Sequence, residues 1–283
     1  MTSLDELLQD VPNLVSLPHV ALRIDKVLAD ENASLDDAAR IIEADPALTS
    51  KLLQVANSAL FGGGGDIDTL NRAISRVGTR QARQIVMGLE LASSFAGLPS
   101  ELISVEDFWR HSLYCATLCR LVADHLKLPG RDAAFTAGLL HDIGQLVLFI
   151  RCPEESRQAL WRSLDESDGR ETFAAEFAEF GFDHTDVGLA VARLWGFPDI
   201  LQCCIYGHHH PERIDNAPSL VYLVHLASSL AVLVELETDD WSSAPPVAPE
   251  TWTVLGIQAD ALGHFLTSAK EDTQELLALF TQQ

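Results

Sequence analysis

A His–Asp doublet, His141–Asp142, lies inside the apolar run GLLHDIGQLVL and carries the most chemical information in the chain. Further histidines occur at His111, at His184 and in the triplet at positions 208–210. Imidazole nitrogens and a carboxylate are ligands that borderline divalent metals accept, and helical proteins collect such ligands from separate helices. A metal held in this way can turn water into a hydroxide that attacks a phosphate. These residue types predict a site for one or two divalent cations, such as iron or manganese.

The segments that must position these residues are predicted to be helical throughout, which makes the fold class all-α. Asp45–Pro46 begins a helix over PALTSKLLQVANSAL that ends in the glycine loop 62–65, which we expect to be mobile. Thr69 and Thr79 each follow as helix starts, and Ser34 is a suitable N-cap for the helix before them. The doublet itself is predicted to lie within one apolar helix. No stretch alternates apolar and polar residues over a useful strand length.

The individual histidines have different helical contexts. His111 lies on the apolar face of EDFWRHSLYCATLCRLVADHL, where it is either a core residue or a ligand. His184 falls in the first turn of its helix, whose positive end disfavours a protonated imidazole, so a neutral, metal-bound or hydrogen-bonded side chain is expected. His208 and His209 are expected at the C-terminal end of the helix PDILQCCIY.

Composition narrows the class of protein. The chain has 283 residues with 47% hydrophobic and 21% charged residues, and a net charge of −22. That charge opposes binding to nucleic acid or to an anionic membrane, because both depend on lysine and arginine. The N-terminus lacks the pattern of a secretory signal, the five cysteines are expected to be reduced, and a cytoplasmic location follows as an expectation. The uncharged stretch 216–234 is predicted to be a buried helix.

One basic run interrupts the acidic chain, since no acidic residue occurs between Asp68 and Glu90. Two interpretations stay open: a solvated helix face, or a docking patch for an acidic protein partner. The run consists of Arg72, Arg76, Arg80 and Arg83.

Two segments rich in glycine, proline and serine predict that the chain is divided into three parts. Residues 1–100 form an N-terminal helical part, residues 101–240 a second helical bundle, and residues 241–283 a C-terminal extension of two short helices after the proline-rich SSAPPVAPE. The boundary Gly97–Ser100 is too short for free domain motion, so the first two parts are expected to pack tightly as one unit.

Several motifs in order give the chain a family resemblance. The first part contains DPALTSKLLQVANSALFG followed by AISRVGTRQAR, and the second contains FWRHS, AGLLHDIGQL, FDHTDVGLAVARLWGFP and an HH pair before Pro211. Over roughly Leu14 to Leu236 the chain resembles the HDOD domain proteins, relatives of the HD and HD-GYP metal-dependent phosphohydrolases. The resemblance implies an N-terminal helical bundle packed on an HD-like helical bundle.

The resemblance also implies a ligand set and three departures from it. The implied metal ligands are His111, His141, Asp142, His184, His208 and His209. Gln145 occupies the place where active enzymes usually have lysine, HHHPERID replaces the GYP signature, and the closing aspartate ligand is replaced by Ser228. A hydroxyl is a poorer cation ligand than a carboxylate, and the absent lysine leaves a phosphate less well held.

Three functions are compatible with these residues. The departures at Gln145 and Ser228 favour a non-catalytic signal-transduction module, without catalytic residues, that acts by binding a signalling protein or a small ligand. The surviving histidines keep open a metal-dependent phosphohydrolase acting on a nucleotide. The same histidines would also serve a metal or redox sensor.

Overall fold

The computed structural model describes residues 4–9, 35–95, 104–164 and 172–281, and these residues are helical, with no strand among them. The predicted all-α class is therefore confirmed. In chain order the α-helices are α1 (Leu4–Gln9), α2 (Leu35–Glu43), α3 (Pro46–Asn57), α4 (Leu70–Val77), α5 (Thr79–Phe95), α6 (Val105–Leu126), α7 (Ala134–Leu140), α8 (Ile143–Arg151), α9 (Pro153–Leu164), α10 (Thr172–Phe180), α11 (His184–Leu194), α12 (Asp199–Gly207), α13 (Ser219–Glu235), α14 (Pro249–Leu255) and α15 (Gly263–Thr281). The Ser34 cap and the boundary at Gly97–Ser100 lie outside the described residues.

The N-terminal helices begin where the sequence predicted, but α3 is shorter. Asp45 caps α3 by accepting from two backbone N–H groups, and the Thr69 hydroxyl caps α4. The prediction that α3 reaches Leu60 is wrong, because the helix ends at Asn57. The Asn57 side chain bonds both backbone groups of Ile67, at 2.8 and 3.0 Å, and so draws the chain out of the helix and across the glycine loop.

The predicted single helix through the doublet is also wrong. α7 ends at Leu140, α8 begins at Ile143, and His141–Asp142 form the turn between them. Asp142 has φ −97° and ψ 14°, outside the helical region. In a continuous helix, successive side chains point about 100° apart. The break frees His141 and Asp142 from this constraint.

A continuous hydrophobic core joins the N-terminal helices to the second bundle. The Phe61 ring meets the Phe135 ring edge-on, with centroids 6.2 Å apart, and the Arg120 guanidinium lies 3.8 Å above Phe61. Gly88 of α5 lies so close to the Leu139 side chain that a Cβ atom would collide with it. These contacts run through apolar faces, as the sequence predicted for the two blocks.

The C-terminal segment belongs to the same core. The prediction of two short helices is wrong for α15, which has 19 residues and packs along α6. Phe280 is buried against Trp109, with ring centroids 5.5 Å apart, and the Thr273 hydroxyl is 3.0 Å from that of Thr117. The apolar spacing of Ala269, Thr273, Leu276 and Phe280 explains this packing.

Two long apolar segments lie in the interior. By length and composition one described segment, Arg131–Arg151, is long enough to cross a membrane, but 83% of its apolar window is buried inside the protein. It comprises a short 3-10 turn, α7 and α8. α13 is buried over most of its length, as predicted for residues 216–234.

Candidate metal centre

The fold brings the six predicted ligand residues to one place between α6, the α7–α8 turn, α11 and the end of α12. These residues are His111, His141, Asp142, His184, His208 and His209. His141, His184 and His208 are no more than 1% exposed, whereas His111 has 19% of its side chain exposed. Their donor atoms form two groups that share Asp142.

Four residues form the first subsite: Asp142, His184, His208 and His209. The Nε2 atom of His184 lies 3.3 Å from Nε2 of His208 and 3.0 Å from Nε2 of His209. Asp142 Oδ1 lies 3.4 Å from His184 Nε2 and 3.1 Å from His208 Nε2. Three nitrogens and one carboxylate oxygen therefore face a common point.

Three residues form the second subsite: His111, His141 and Asp142. The other carboxylate oxygen of Asp142, Oδ2, lies 3.1 Å from His141 Nε2 and 3.9 Å from His111 Nε2. Asp142 therefore directs one oxygen to each subsite, which is the arrangement of a carboxylate that bridges two cations.

Hydrogen bonds fix which ring nitrogens face inward. His141 Nδ1 donates to the Gly138 carbonyl at 2.7 Å, and His208 Nδ1 donates to the Ile205 carbonyl at 2.8 Å, because a carbonyl oxygen can only accept. His184 Nδ1 bonds Glu176 Oε2 at 2.6 Å, and that oxygen also accepts from the His184 backbone N–H. The outward nitrogens are thus engaged, and each Nε2 is left toward the centre, as in metal-ligating histidines.

The distances fit a cation. Ligands about 2.1 Å from one metal ion lie about 3.0 Å apart at right angles and about 3.4 Å apart in a tetrahedron. Four of the six separations in the first subsite lie between 3.0 and 3.4 Å, within that range, and all six are no more than 4.8 Å. At the second subsite, His141 Nε2 is buried and lies 3.1 Å from Asp142 Oδ2. An imidazole nitrogen and a carboxylate oxygen at this separation could both bind one cation.

Two glycines bring Asp142 and His184 within reach of each other. A Cβ atom on Gly144 would collide with the His184 carbonyl oxygen and would lie 2.5 Å from the Gly188 nitrogen. α8 and α11 therefore touch backbone to backbone. The Asp183–Asp186 capping box then fixes the start of α11, and with it His184.

Burial and nearby charge set the protonation of the cluster. Burial lowers the pKa of His208 to about 4, although Asp142 opposes the change, and it also holds the pKa of His209 well below its usual value with the help of neighbouring histidines. Burial would lower the pKa of His184 too, but Glu176 and Asp142 raise it to about 9. His184 is hydrogen-bonded to Glu176, which is one of the alternatives that the sequence left open for this residue. A bound cation would take the place of that proton.

At the second subsite, burial and nearby charges again act in opposite directions on the pKa values. Burial opposes the charge on His141, but Asp142 and then Cys115 raise the pKa of His141 to about 10. Burial likewise opposes the charged form of Asp142, yet His141 and His208 hold the pKa of this carboxyl well below its usual range. Asp142 is thus an ionised carboxylate, which is the form that a cation requires.

A cavity of about 490 Å³ opens onto both subsites. Gln145 and Ser228, two of the three departures from the family pattern, both line it. Arg110 also lines it, but its guanidinium is paired with Asp107 and, at 3.0 Å, with Glu106. The remaining polar wall includes the carboxylate of Glu235, which lies 3.3 Å from His111 Nδ1.

Known proteins resemble this chain in sequence and in fold. The family model of the HDOD domain matches residues 14–211. The chain belongs to the HDOD family. This HDOD protein is also 22% identical over 238 residues to an uncharacterised protein of Treponema pallidum, a match that spans 83% of the chain and 45% of that relative.

Solved structures share the fold of this HDOD protein. A crystal structure from Shewanella amazonensis, provisionally named a phosphohydrolase, has a TM-score of 0.76 at 23% identity and covers 97% of this chain and 98% of that one. An HDOD domain protein of unknown function from Geobacter sulfurreducens has a TM-score of 0.77 at 23% identity, covering 98% and 95%. A protein from Marinobacter aquaeolei, provisionally named a signal transduction protein, has a TM-score of 0.74 at 22% identity, covering 96% and 60%.

Sequence reasoning missed three residues that support the ligands of the HDOD site. Glu176 is buried and bonds His184, Glu235 contacts His111, and His225 donates from Nδ1 to the His208 carbonyl at 2.6 Å. A signal existed for Glu176, since it shares the apolar stripe of α10 with Phe173 and Phe180. Glu235 likewise follows Ser228 by two helical turns on one face of α13.

Arg72 and Arg76, the two arginines of the basic run whose side chains are described, lie outside the metal centre. Arg72 pairs with Asp68 at 2.8 Å and with Asp66 at 3.3 Å, and Arg76 reaches Asp66 and the Gly63 carbonyl. These two arginines therefore fasten the glycine loop to α4 and share their charge with local aspartates. The side chains of Arg80 and Arg83 lie outside the described residues.

Proposed function

We propose that the protein is an HDOD signalling module in which a two-cation centre organises the helices for binding a protein partner, without hydrolysing a phosphate ester. The observation that supports this most directly is the division of Asp142 between two sets of inward-facing nitrogens. The first subsite would hold one cation through Asp142, His184, His208 and His209. The second would hold another through His111, His141 and the second oxygen of Asp142.

The positions of the candidate ligands on different helices favour a structural role for the cations. These ligands come from α6, the α7–α8 turn, α11 and α12, so bound cations would tie four helices together. Glu176, Gly138 and Ile205 already hold three of the rings in place, which gives the cluster the outer hydrogen bonds typical of metal sites. A change in cation occupancy would alter how α8 and α11 meet, and a partner that contacts the exposed end of α11 would sense it.

The absence of hydrolysis is proposed from the cavity wall. Besides metal ions, cationic side chains commonly stabilise the charge that develops on the phosphate oxygens during phosphoryl transfer. Among the described residues that line the cavity, the arginine is Arg110, and two carboxylates already pair with it. Glu235 adds another negative charge to the wall.

The second candidate is a metal-dependent phosphohydrolase, and the open second subsite favours it. Divalent cations supply Lewis-acid activation of water and of a phosphate oxygen. The cavity beside His111 and Asp142 is large enough for a small phosphate ester.

One experiment separates the two candidates. Protein purified without a His-tag is loaded with Mn²⁺ and assayed against a generic phosphodiester, nucleoside monophosphates and cyclic dinucleotides, beside Asp142→Asn. The signalling module is expected to bind Mn²⁺ and to show no turnover above the variant. Turnover that disappears in Asp142→Asn would overturn this proposal in favour of the hydrolase.

We also propose that the protein acts in the cytoplasm, away from nucleic acid and membrane surfaces. The support is the net charge of −22, which repels both. Binding of duplex DNA or of anionic vesicles at physiological salt would contradict this.

A further inference from the structure

The second subsite is short of negative charge. The two subsites together contain one carboxylate among their ligands, Asp142, which must serve both. Two divalent cations carry four positive charges, so neighbouring anions are needed to hold them in a protein interior. At the first subsite, Glu176 supplies such a charge through His184.

Glu235 occupies the equivalent position at the second subsite. Its Oε1 atom lies 3.3 Å from His111 Nδ1, while His111 Nε2 faces Asp142 Oδ2. With Nδ1–H donating to Glu235, the His111 lone pair is at Nε2 and points toward the subsite. The Glu235 side chain is 29% exposed, so its charge is only partly screened by water.

We propose that Glu235 is the positioning residue of the second subsite: its carboxylate orients His111 and adds the negative charge that a second cation needs there. This inference rests on the proposed function, since it concerns the same two-cation centre. A second, independent observation marks the subsite, because the buried His141 Nε2 lies 3.1 Å from the Asp142 oxygen that is directed there.

The geometry of α13 explains why one helix can supply this charge at either of two positions. Ser228, Val232 and Glu235 follow one another at spacings of four and three residues, so they share a face. All three line the same cavity. A carboxylate at 228 would therefore face the cavity that Glu235 now faces.

The test is a Mn²⁺ titration of tag-free protein, with free Mn²⁺ followed by electron paramagnetic resonance. Wild-type protein is expected to bind two ions, one more tightly than the other. Glu235→Ala should weaken the second ion by about 10–100-fold and leave the first unchanged, because loss of an orienting carboxylate has that effect on metal affinity. The intact first site also reports that the variant is folded.

Three further variants separate orientation from charge. Glu235→Gln keeps an oxygen that accepts from His111 but removes the charge, so its second-site affinity should lie between wild type and Glu235→Ala. Ser228→Asp combined with Glu235→Ala should recover part of the lost affinity. Glu237→Gln is the matched control, since Glu237 pairs with Lys270 and does not line the cavity, and it should titrate as wild type.

The outcomes are distinct. Two ions with unchanged affinities in Glu235→Ala would overturn the role of Glu235 while leaving the two-cation centre standing. One ion in the wild type would also overturn it, because the second subsite would then not bind. No bound Mn²⁺ in the wild type would overturn the proposed function itself.

Discussion

Gly144 offers a direct test of how the backbone positions the metal centre. In Gly144→Ala the new methyl group would collide with the His184 carbonyl oxygen and would lie 2.5 Å from the Gly188 nitrogen. Ordinary contact begins at about 3.5 Å, so α8 and α11 must separate by roughly 1 Å. Both opposing atoms belong to the backbone, and no rotamer change can relieve them.

The size of the effect follows from this contact. Overpacking in a core costs about 1–3 kcal/mol, and we expect the upper end, about 3 kcal/mol, because the obstacle is backbone. An unfolding entropy of about 2.1 cal/mol/K per residue gives roughly 0.6 kcal/mol/K for the whole chain, so Tm should fall by about 5 °C. A shift of about 1 Å also exceeds the roughly 0.2 Å tolerance of metal–ligand distances, so the affinity for Mn²⁺ should fall as well.

The assay is calorimetry of the metal-free protein together with a Mn²⁺ titration. Gly263→Ala is the matched control, because its Cβ would meet nothing within 4 Å and its backbone has no positive φ. That control should unfold within about 1 °C of wild type, as surface substitutions do. If Gly144→Ala also behaved as wild type in both measurements, the close approach of α8 and α11 would be refuted.

Three other predictions concern the ligand supports, the C-terminal helix and the basic run. Glu176→Gln should weaken Mn²⁺ binding at the first subsite by about 10–100-fold, whereas Glu179→Gln, which removes only an ion pair with Arg162, should leave a competition titration unchanged. Phe280→Ala should lower the free energy of unfolding, measured in denaturant, by about 3–5 kcal/mol, because Phe280 is buried against Trp109. Val254→Ala is the control, since Val254 is exposed and its loss should cost less than about 1 kcal/mol. An equally small effect of Phe280→Ala would contradict the packing of α15. Arg72→Ala and Arg76→Ala should each cost less than about 1 kcal/mol by the same measurement, since their ion pairs are exposed, and a larger loss would refute a solvated face.

The convergence of the six candidate ligand residues could be predicted, because their residue types and the order of the motifs indicate it. His111, His141, Asp142 and His184 are separated by up to 73 positions, yet each falls on a helix end or on an inward face that sequence periodicity identifies. The helix caps Asp45 and Thr69 could also be predicted from the sequence, because a cap depends on residues within one helical turn.

The supports of the site could not be predicted with the same ease. Glu176 lies in an acidic part of the chain where many carboxylates are solvated, and its burial depends on how α10 meets α11. The break at His141–Asp142 lies beside the close contact between Gly144 and α11. That contact joins residues distant in sequence, so the local pattern of the doublet gives no sign of it. The proline-rich segment before α15 predicted a separate extension. The place of α15 in the core instead depends on its packing against α6, which is distant in sequence.

The central claim is that Asp142 directs one oxygen to each of two cation subsites. Crystals of the Mn²⁺-loaded protein, with data collected at the manganese absorption edge, test it most directly. Two anomalous peaks are expected, one enclosed by Asp142, His184, His208 and His209 and one beside Asp142, His111 and His141. A single peak, or none, among these side chains in protein shown to contain bound Mn²⁺ would contradict this claim.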